Sequence, residues 1–437
     1  MGGGATQLSL RGSQDKYLHF DADHSFFQPV HIPYEDFALE TMEITAQGQV
    51  AFDRQATYTI LSNAELITGA SLEIILPALP TPAGGGVGEN IVAWCHSIGI
   101  YILERLEFKA QSQILDTRYP QFMDAWARLS VPDCQREGFN DLIGELNLTT
   151  RFVAGTTVNS HQVDPTAPQV LAATKPQVRL MVPLDFWWCQ SWSQALPIGI
   201  LLYTNIQLTV KFRAAAQCYI TGGAGALLAA QPSLVDAKLL VDYVYLDEAA
   251  RNRIARQAQF YVFKQIQHHG GFAVNQSTAN YKLPFVMPVC ELLWMVQEDD
   301  AVVNNVRRFD WYDRYNGNTA TYYPDAPITQ VTLKINSQDR LQPRDGLYHN
   351  RYQPFKHHTC IPSSRGIYMY SFALKPEHAS AEGALNISRS ENNYLNLTFN
   401  QDGGDGIGNH AGLLYVFAVN YNYIYIENGY LTMLYNA

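Results

Sequence analysis

Charged residues are scarce in this chain of 437 residues, where they make up 16% of the total against about 25% in an average globular protein. The formal net charge is −10 and no run of Lys or Arg exceeds two residues. This composition excludes the basic footprint of a protein that wraps nucleic acid. It leaves wide neutral and apolar surfaces, which is typical of a protein that buries surface against partners.

Long apolar runs are also missing. No uninterrupted stretch of about 18 apolar residues occurs, so we expect no membrane span. Residues 1–6 have no apolar core, so we expect no secretory signal, although Gly2 and Thr6 fit the short myristoylation pattern. The six cysteines stand singly and form no C-x-x-C pair. They predict reduced, mostly buried thiols rather than a zinc ribbon or a redox pair.

The chain contains an internal repeat. Short blocks in its last third match blocks in its middle third, and they occur in the same order. Each match is weak alone, but because the blocks share one order, they predict two tandem copies of one domain. We expect Leu208 and Leu397 to occupy equivalent strand positions with the same inward or outward sense. The paired blocks are 106–111 with 333–338, 195–198 with 384–387, 206–210 with 395–399, and 241–247 with 421–427.

Most periodic segments alternate apolar and polar residues, and this alternation predicts β-strands with one buried face. The clearest are 206–212, 328–335 and 394–399, and clusters of Gly, Pro, Asn and Asp separate such segments. The fold class is therefore all-β, with sandwich domains. Helical spacing is confined to an insertion at about 118–146 and to a short linker for which Asp247 is the expected N-cap. The expected division is an N-terminal arm at 1–24, a first domain at 25–247, a linker helix at 248–256 and a second domain at 257–437.

Candidates for catalysis or metal binding are weak. The pairs His268-His269 and His357-His358 are adjacent, and adjacent side chains on a strand point to opposite faces, so neither pair can chelate one metal alone. The acidic run 298–300 lacks flanking ligands, and the glycines at 222, 223 and 225 lack the Lys-Ser/Thr of a phosphate-binding loop. We therefore expect no catalytic, cofactor-binding or metal-binding residues, and we predict that the protein is not an enzyme. A glycosidase pair of carboxylates, which needs only a spacing of about 5–9 Å, stays open at this point.

An aromatic cluster allows two interpretations. Trp187 and Trp188, with Phe186 and Trp192, could form a sugar-stacking platform, which would suit a carbohydrate-binding or carbohydrate-active protein. Alternatively, one face of this segment is buried in its own domain and the other packs on the neighbouring domain. Four glycosylation sequons occur, at Asn147, Asn275, Asn386 and Asn396.

Several runs resemble a known family. The opening carries Gly12-Ser-Gln-Asp-Lys-Tyr-Leu18 and Asp36-Phe-Ala38, and the most specific runs lie in the second copy. These are Asn336-Ser-Gln-Asp-Arg340, Tyr352-Gln-Pro354, Tyr370-Ser-Phe-Ala-Leu-Lys-Pro376 and Asn386-Ile-Ser-Arg389. The chain resembles the double jelly-roll major capsid proteins of large icosahedral double-stranded DNA viruses, of the chlorella-virus and iridovirus type. It departs from them at Gln28 and His31-Ile-Pro33, where the family has Lys and an Arg-rich stretch.

This resemblance implies two tandem eight-stranded jelly rolls with a few short helices, and a structural rather than catalytic role. It implies a homotrimer that forms a pseudo-hexagonal capsomer of an icosahedral shell, made in the host cytoplasm and located in the virion. The implied partners are neighbouring capsomers and minor capsid and penton proteins, with an internal membrane left open and no direct contact to nucleic acid. The carbohydrate-binding alternative is kept beside this interpretation.

Overall fold

The computed structural model describes residues 3–10, 12, 13, 15, 27, 34–79, 92–95, 97–144, 177–221, 228, 230–274, 276–298, 327–399 and 412–435. Several positions discussed above lie outside these residues. They are Gly2, Asn147, Asn275, residues 299 and 300, and the glycines at 222, 223 and 225. The sequence also predicts variable recognition loops at 80–90, 155–170, 215–235 and 297–327, and nearly all of the first, second and fourth of these lie outside the described residues.

Two compact units make up the chain, Met1–Asp36 and Phe37–Ala437. The first unit contains helix α1 (Gly3–Ser9), which begins inside the glycine run. The exposed side chains of Leu8 and Leu10 lie in and just after this helix.

Among the described residues of the second unit, ten strands precede the linker helix. They are β1 (Phe37–Thr45), β2 (Gln55–Ile60), β3 (Leu66–Leu76), β4 (Val92–Trp94), β5 (Leu103–Ala110), β6 (Gln113–Arg118), β7 (Val178–Pro183), β8 (Ile206–Phe212), β9 (Tyr219–Thr221) and β10 (Asp236–Leu246). Ten more follow it. They are β11 (Gln259–Val274), β12 (Thr278–Lys282), β13 (Pro288–Glu298), β14 (Ile328–Ile335), β15 (Gln338–Asp345), β16 (Ile367–Ser371), β17 (Leu385–Asn386), β18 (Tyr394–Phe399), β19 (Gly412–Glu427) and β20 (Tyr430–Met433).

The same strand order occurs in both halves. In the first half, one antiparallel sheet has the order β1-β10-β3-β7 and the facing sheet β2-β8-β5-β6. In the second half, the orders β11-β19-β13-β16 and β12-β18-β14-β15 correspond to these strand for strand. Two four-stranded sheets with this crossed order form an eight-stranded jelly roll. The expected double jelly roll is therefore confirmed.

The repeated blocks fall on corresponding elements. Leu208 lies in β8, between β2 and β5, and Leu397 lies in β18, between β12 and β14. Both side chains are buried, so they share the inward sense that the repeat predicted. Leu196 bridges to β3 and Leu385 pairs with β13, which places the second pair of blocks on corresponding strands as well. The duplication inferred from the sequence is a property of the fold.

Helices in the second unit are short and lie in connections. Proline at the first position of helix α3 (Pro120–Ser130) fits a helix start, because the first N–H groups of any helix have no partner within it. Asp247 caps helix α6 (Glu248–Arg256), since its carboxylate accepts a hydrogen bond of 2.8 Å from the N–H of Ala250, as the sequence predicted. Within the described ranges, none of the helices has the length and apolar character needed to cross a membrane. The helices are α2 (Ile98–Tyr101), α3 (Pro120–Ser130), α4 (Asp133–Ile143), α5 (Trp187–Gln190), α6 (Glu248–Arg256) and α7 (Gln353–His357), with a π-helical turn at Tyr348–Tyr352 before α7.

The apolar core is continuous from the first jelly roll into the second. One cluster fills the first sandwich and also includes Phe263, Ile266 and Phe417 of the second jelly roll. A second cluster fills the interior of the second sandwich. Each fully buried large apolar side chain stabilises the fold by about 1.5–3 kcal/mol. The junction between the jelly rolls is therefore built like a domain interior rather than like a flexible linker.

Candidate functional site

The junction between the jelly rolls, which we call the seam, contains the aromatic cluster singled out in the sequence. Trp187 and Trp188 begin α5 and are 0% and 1% exposed. Trp187 faces the second jelly roll, where its ring centroid lies 5.4 Å from that of Phe263. Trp188 faces the first and lies 5.5 Å from Phe108. The sugar-platform interpretation is wrong for Trp187 and Trp188, because their rings are buried, and Trp192 alone of the three is largely exposed, at 71%.

Strands β6 and β11 meet at the centre of the seam. The side-chain amide of Gln265 donates a hydrogen bond of 3.0 Å to the carbonyl of Leu115. The N–H of Ile266 donates one of 3.2 Å to the carboxylate of Asp116. Because β11 is the outer strand of its sheet, its free edge is available for these hydrogen bonds to β6.

A buried charge cluster lies beside this contact. Arg118 is 2% exposed, and its guanidinium lies 2.6 Å from a carboxylate oxygen of Asp116 and 3.1 Å from Asp185. Burial raises the pKa of Asp116 to about 7, although the charge of Arg118 opposes the change. Arg118 also lies over the ring of Phe186, 5.3 Å from its centroid. The guanidinium therefore ties the end of β6 to the segment that leads into α5.

Helix α3, in the predicted insertion, rests on the second jelly roll. Phe122 packs on Phe417 at a centroid distance of 5.6 Å. The last turn continues this contact, since the N–H of Cys360 donates a hydrogen bond of 2.8 Å to the carbonyl of Leu129. The sequence predicted a helical insertion here but not that it packs on the second jelly roll. The segment fastens the two domains together.

A histidine with two carboxylates forms the second buried polar cluster. The Nε2 atom of His358 lies 2.8 Å from Glu291, and its Nδ1 atom lies 2.7 Å from Glu377. The imidazole also packs edge-to-face with the indole ring of Trp126 in α3, with a distance of 5.4 Å between the ring centroids. Burial disfavours the imidazolium, but the charges and hydrogen bonds of the two glutamates outweigh it and raise the pKa of His358 to about 9. Burial likewise opposes the ionised form of Glu377, yet contact with His358 lowers its pKa.

The neighbouring His357 has a separate partner, since its Nδ1 atom lies 2.9 Å from the carbonyl of Leu374. The two imidazoles thus diverge, although not for the reason expected, because α7 ends at His357 and the pair does not lie on a strand. The imidazoles of His268 and His269 also have separate neighbours. The ring of His268 packs between Tyr119 and Phe417, whereas that of His269 packs on Phe272.

Lys264 of β11 is a third buried charge that the sequence did not reveal. It is 4% exposed, and its ammonium group donates to the carbonyls of Pro376 and His378. Burial lowers its pKa. The bonds hold the loop after β16 against the edge strand, which is a structural task.

A cavity of about 300 Å³ lies between α3, α4 and the segment after β7. Its lining includes Met123, Trp126, Leu184 and the thiol of Cys189. Burial raises the pKa of that thiol far above its ordinary value, so it is protonated and a poor nucleophile. All six cysteines are free, and four of them are buried, as expected from their spacing. Within the described part of the chain, no three His, Cys, Asp or Glu side chains are grouped as metal ligands would be.

Comparison with known proteins gives consistent matches over the whole chain. Residues 25–247 match the family model described as major capsid protein N-terminus, and residues 250–432 match that of the large eukaryotic DNA virus major capsid protein. The major capsid protein of Pyramimonas orientalis virus is 29% identical, with 98% of each chain covered. That of Paramecium bursaria Chlorella virus 1 is 27% identical with the same coverage.

Solved structures show the same fold. The PBCV-1 virus capsid protein aligns over 94% of this chain and 100% of its own, with a TM-score of 0.72 and 24% identity. The Faustovirus major capsid protein aligns over 95% and 96%, with a TM-score of 0.74 and 13% identity.

Proposed function

Since this chain belongs to the family of large eukaryotic DNA virus major capsid proteins, we propose that it forms a homotrimer whose six jelly rolls make one pseudo-hexagonal capsomer. The chain is a structural protein of the virion capsid shell. The observation that supports the trimer is that one chain contains two fused jelly rolls with the same strand order. Three chains with two similar domains each supply six similar corners.

The seam gives this architecture its rigidity. Its aromatic rings, the Arg118 cluster and the His358 cluster are buried, so the two jelly rolls of one chain keep a fixed relation. We assign 25–247 and 257–437 to the two jelly rolls, 248–256 to the linker helix and 1–24 to an N-terminal arm. The change from one family match to the next between residues 247 and 250 supports this division.

The role is one of assembly without catalysis. The family's members named above are capsid proteins, and the buried charges Arg118 with Asp116 and His358 with Glu291 are paired with one another. The proposed partners are neighbouring capsomers, minor capsid and penton proteins and an internal membrane, with the arm on the inner side of the shell. The carbohydrate alternative loses its main support with the burial of Trp187 and Trp188.

Native mass spectrometry of the purified protein tests the proposal. A trimer should appear at about 147 kDa, three times the chain mass of 49.1 kDa. A folded chain that stays monomeric at micromolar concentration and binds a glycan array would support the carbohydrate alternative instead.

A further inference from the structure

The cavity beside the seam has the size of a site for a small molecule. Its volume is about 300 Å³, and it lies between α3, α4 and the segment after β7. An engineered apolar cavity of about 150 Å³ binds benzene, and ligand pockets in general occupy about 300–1,000 Å³. This cavity therefore has room for a benzene ring with a short side chain.

Apolar side chains make up most of the lining. Met123, Trp126 and Ala127 come from α3, and their spacing of three and four residues places them on one face of that helix. Phe139 of α4 adds a second aromatic ring. The indole of Trp126 is held in place by stacking on Phe122, with 5.5 Å between the ring centroids. The apolar part of a ligand therefore meets a wall that is already formed.

The cavity can be reached from solvent near the turn between α3 and α4. Ser130 and Val131 of this turn line the cavity and are half-buried. Pro183 also lines it and is exposed. The lining thus extends from the buried side chain of Met123 to the protein surface, so a ligand can enter without unfolding of the chain.

Two carboxylates line the cavity, one from each jelly roll. Asp185 follows β7, and Glu377 lies in the loop after β16. Their side chains are 23% and 18% exposed, so neither is sealed inside the protein. Within the described part of the chain, no Lys, Arg or His side chain lines the cavity. The lining therefore favours a cation over an anion.

The cations behind this lining do not balance its negative charge. Arg118 is shared by Asp185 and a second buried aspartate, and His358 is shared by Glu377 and a second buried glutamate. Lys264, the third buried cation of the seam, donates to main-chain carbonyls instead. One positive group thus faces two carboxylates at each of the two clusters. An added cation reduces this excess of negative charge.

Hydrogen-bonding capacity is unbalanced in the same direction. Oδ2 of Asp185 and Oε1 of Gln190 are buried acceptors without a hydrogen-bond partner among the described residues, and both residues line the cavity. The amide nitrogen of Gln190 is already engaged, because it donates a hydrogen bond of 3.1 Å to the carbonyl of Asp185. Buried acceptors of this kind require a donor. A primary ammonium group supplies N–H donors together with a positive charge.

We propose that the cavity binds a small organic cation, in which a primary ammonium group is attached to an aromatic or aliphatic body. The apolar body lies against Met123 and Trp126, and the ammonium group lies near Asp185 of the first jelly roll and Glu377 of the second. The bound cation thereby connects the two jelly rolls of one chain. This binding concerns the single chain and does not depend on the trimer.

Three probes of similar shape test the recognition. They are 2-phenylethylamine, which is a cation at neutral pH, 2-phenylethanol, which is neutral, and phenylacetate, which is an anion. In saturation-transfer NMR with the full chain, the amine should bind with a Kd of about 0.1–1 mM. The alcohol should bind about tenfold more weakly, and phenylacetate should not bind. No binding of the amine, or binding of phenylacetate as tight as that of the amine, would overturn the proposal.

Two substitutions locate the site. Ala127→Leu fills the cavity from α3 and should abolish amine binding. The matched control is Ala255→Leu, because Ala255 is exposed on α6 and lines a separate cavity of about 330 Å³, so this variant should bind the amine as the wild type does. Asp185→Asn keeps the shape of the side chain and removes its charge. It should weaken the amine about tenfold and leave the alcohol unchanged.

The variants also supply results that would contradict the proposal. Undiminished amine binding by Ala127→Leu would place the amine elsewhere on the chain. Equal weakening of the amine and the alcohol by Asp185→Asn would show that the carboxylate does not recognise the cation. Either result would overturn the proposed site.

Heat denaturation gives an independent readout. A ligand that binds only the folded chain stabilises it, so the amine should raise the Tm of the wild type and of Ala255→Leu but not that of Ala127→Leu. A wild-type Tm that does not change with added amine would count against the proposal as decisively as the absence of binding.

Discussion

Replacing His358 by alanine should weaken the seam strongly, because it leaves the carboxylate of Glu291 buried without its hydrogen-bonded counter-charge. Both side chains are 0% exposed, and Glu291 has one oxygen with no hydrogen-bond partner among the described residues even in the presence of the histidine. Removal of one partner from a buried ion pair costs about 3–5 kcal/mol. The control is His378→Ala, since His378 is 59% exposed beside Glu382 and solvent replaces the lost contact. The control should show no measurable change in stability.

The pH dependence of stability shows whether the ion pair between His358 and Glu291 is the cause of this destabilisation. The folded pKa of His358 is about 9 and its ordinary value is 6.5. A raised histidine pKa stabilises the fold fully below about pH 6.5, and this stabilisation is lost as the pH rises through 9. At about 1.4 kcal/mol per unit of pKa, the loss over this interval is roughly 3 kcal/mol. Glu377, whose pKa is lowered, contributes above its ordinary value of 4.5 and loses its contribution as the pH falls below that value.

Urea denaturation, followed by tryptophan fluorescence, measures both effects. The wild type should lose stability between pH 6.5 and pH 9, and His358→Ala should lose much less over the same interval. The two proteins should differ most at the acidic end. An equal pH slope in both proteins, or a His358→Ala variant as stable as His378→Ala, would refute the ion-pair account of this cluster.

Three further predictions follow from the seam, the strands and the arm. Trp187→Ala should destabilise the protein by about 3–5 kcal/mol and Trp192→Ala hardly at all, as urea denaturation can measure; equal effects would contradict the assignment of Trp187 to the seam core. Gly270→Ala should destabilise the protein by about 1–3 kcal/mol, because the new Cβ would lie 2.7 Å from the main chain of β19. Gly138→Ala, in open space on α4, should instead stabilise it by about 0.5–1 kcal/mol, and a lower melting temperature for this variant than for Gly270→Ala would contradict the reasoning. Deletion of residues 1–20 should preserve the trimer in native mass spectrometry but impair shell assembly in electron micrographs; a monomeric product would place the arm in the trimer interface.

The strands were predictable because their period of two and the internal repeat are local properties of the chain. Leu208 and Leu397 could be matched from short blocks before any contact was known. The seam was not predictable in the same way. Arg118 and Asp185 are separated by 67 positions, as are Glu291 and His358. No local pattern brings such pairs together.

One signal for the seam was nonetheless present. Glu291 is a single charge within the apolar run Val289-Cys-Glu-Leu-Leu-Trp-Met-Val296, in a chain with few charges. A charge in such a run needs a buried partner, which His358 supplies. The Trp187-Trp188 pair was open to two interpretations because aromatic content alone does not separate a platform from a core. The burial of both rings decides for the core.

Single-particle electron microscopy of the purified protein tests the central claim most directly. We expect particles of three copies with a hexagonal outline, three-fold symmetry and six jelly rolls. Folded single chains, or a ring with another number of copies, would contradict the account.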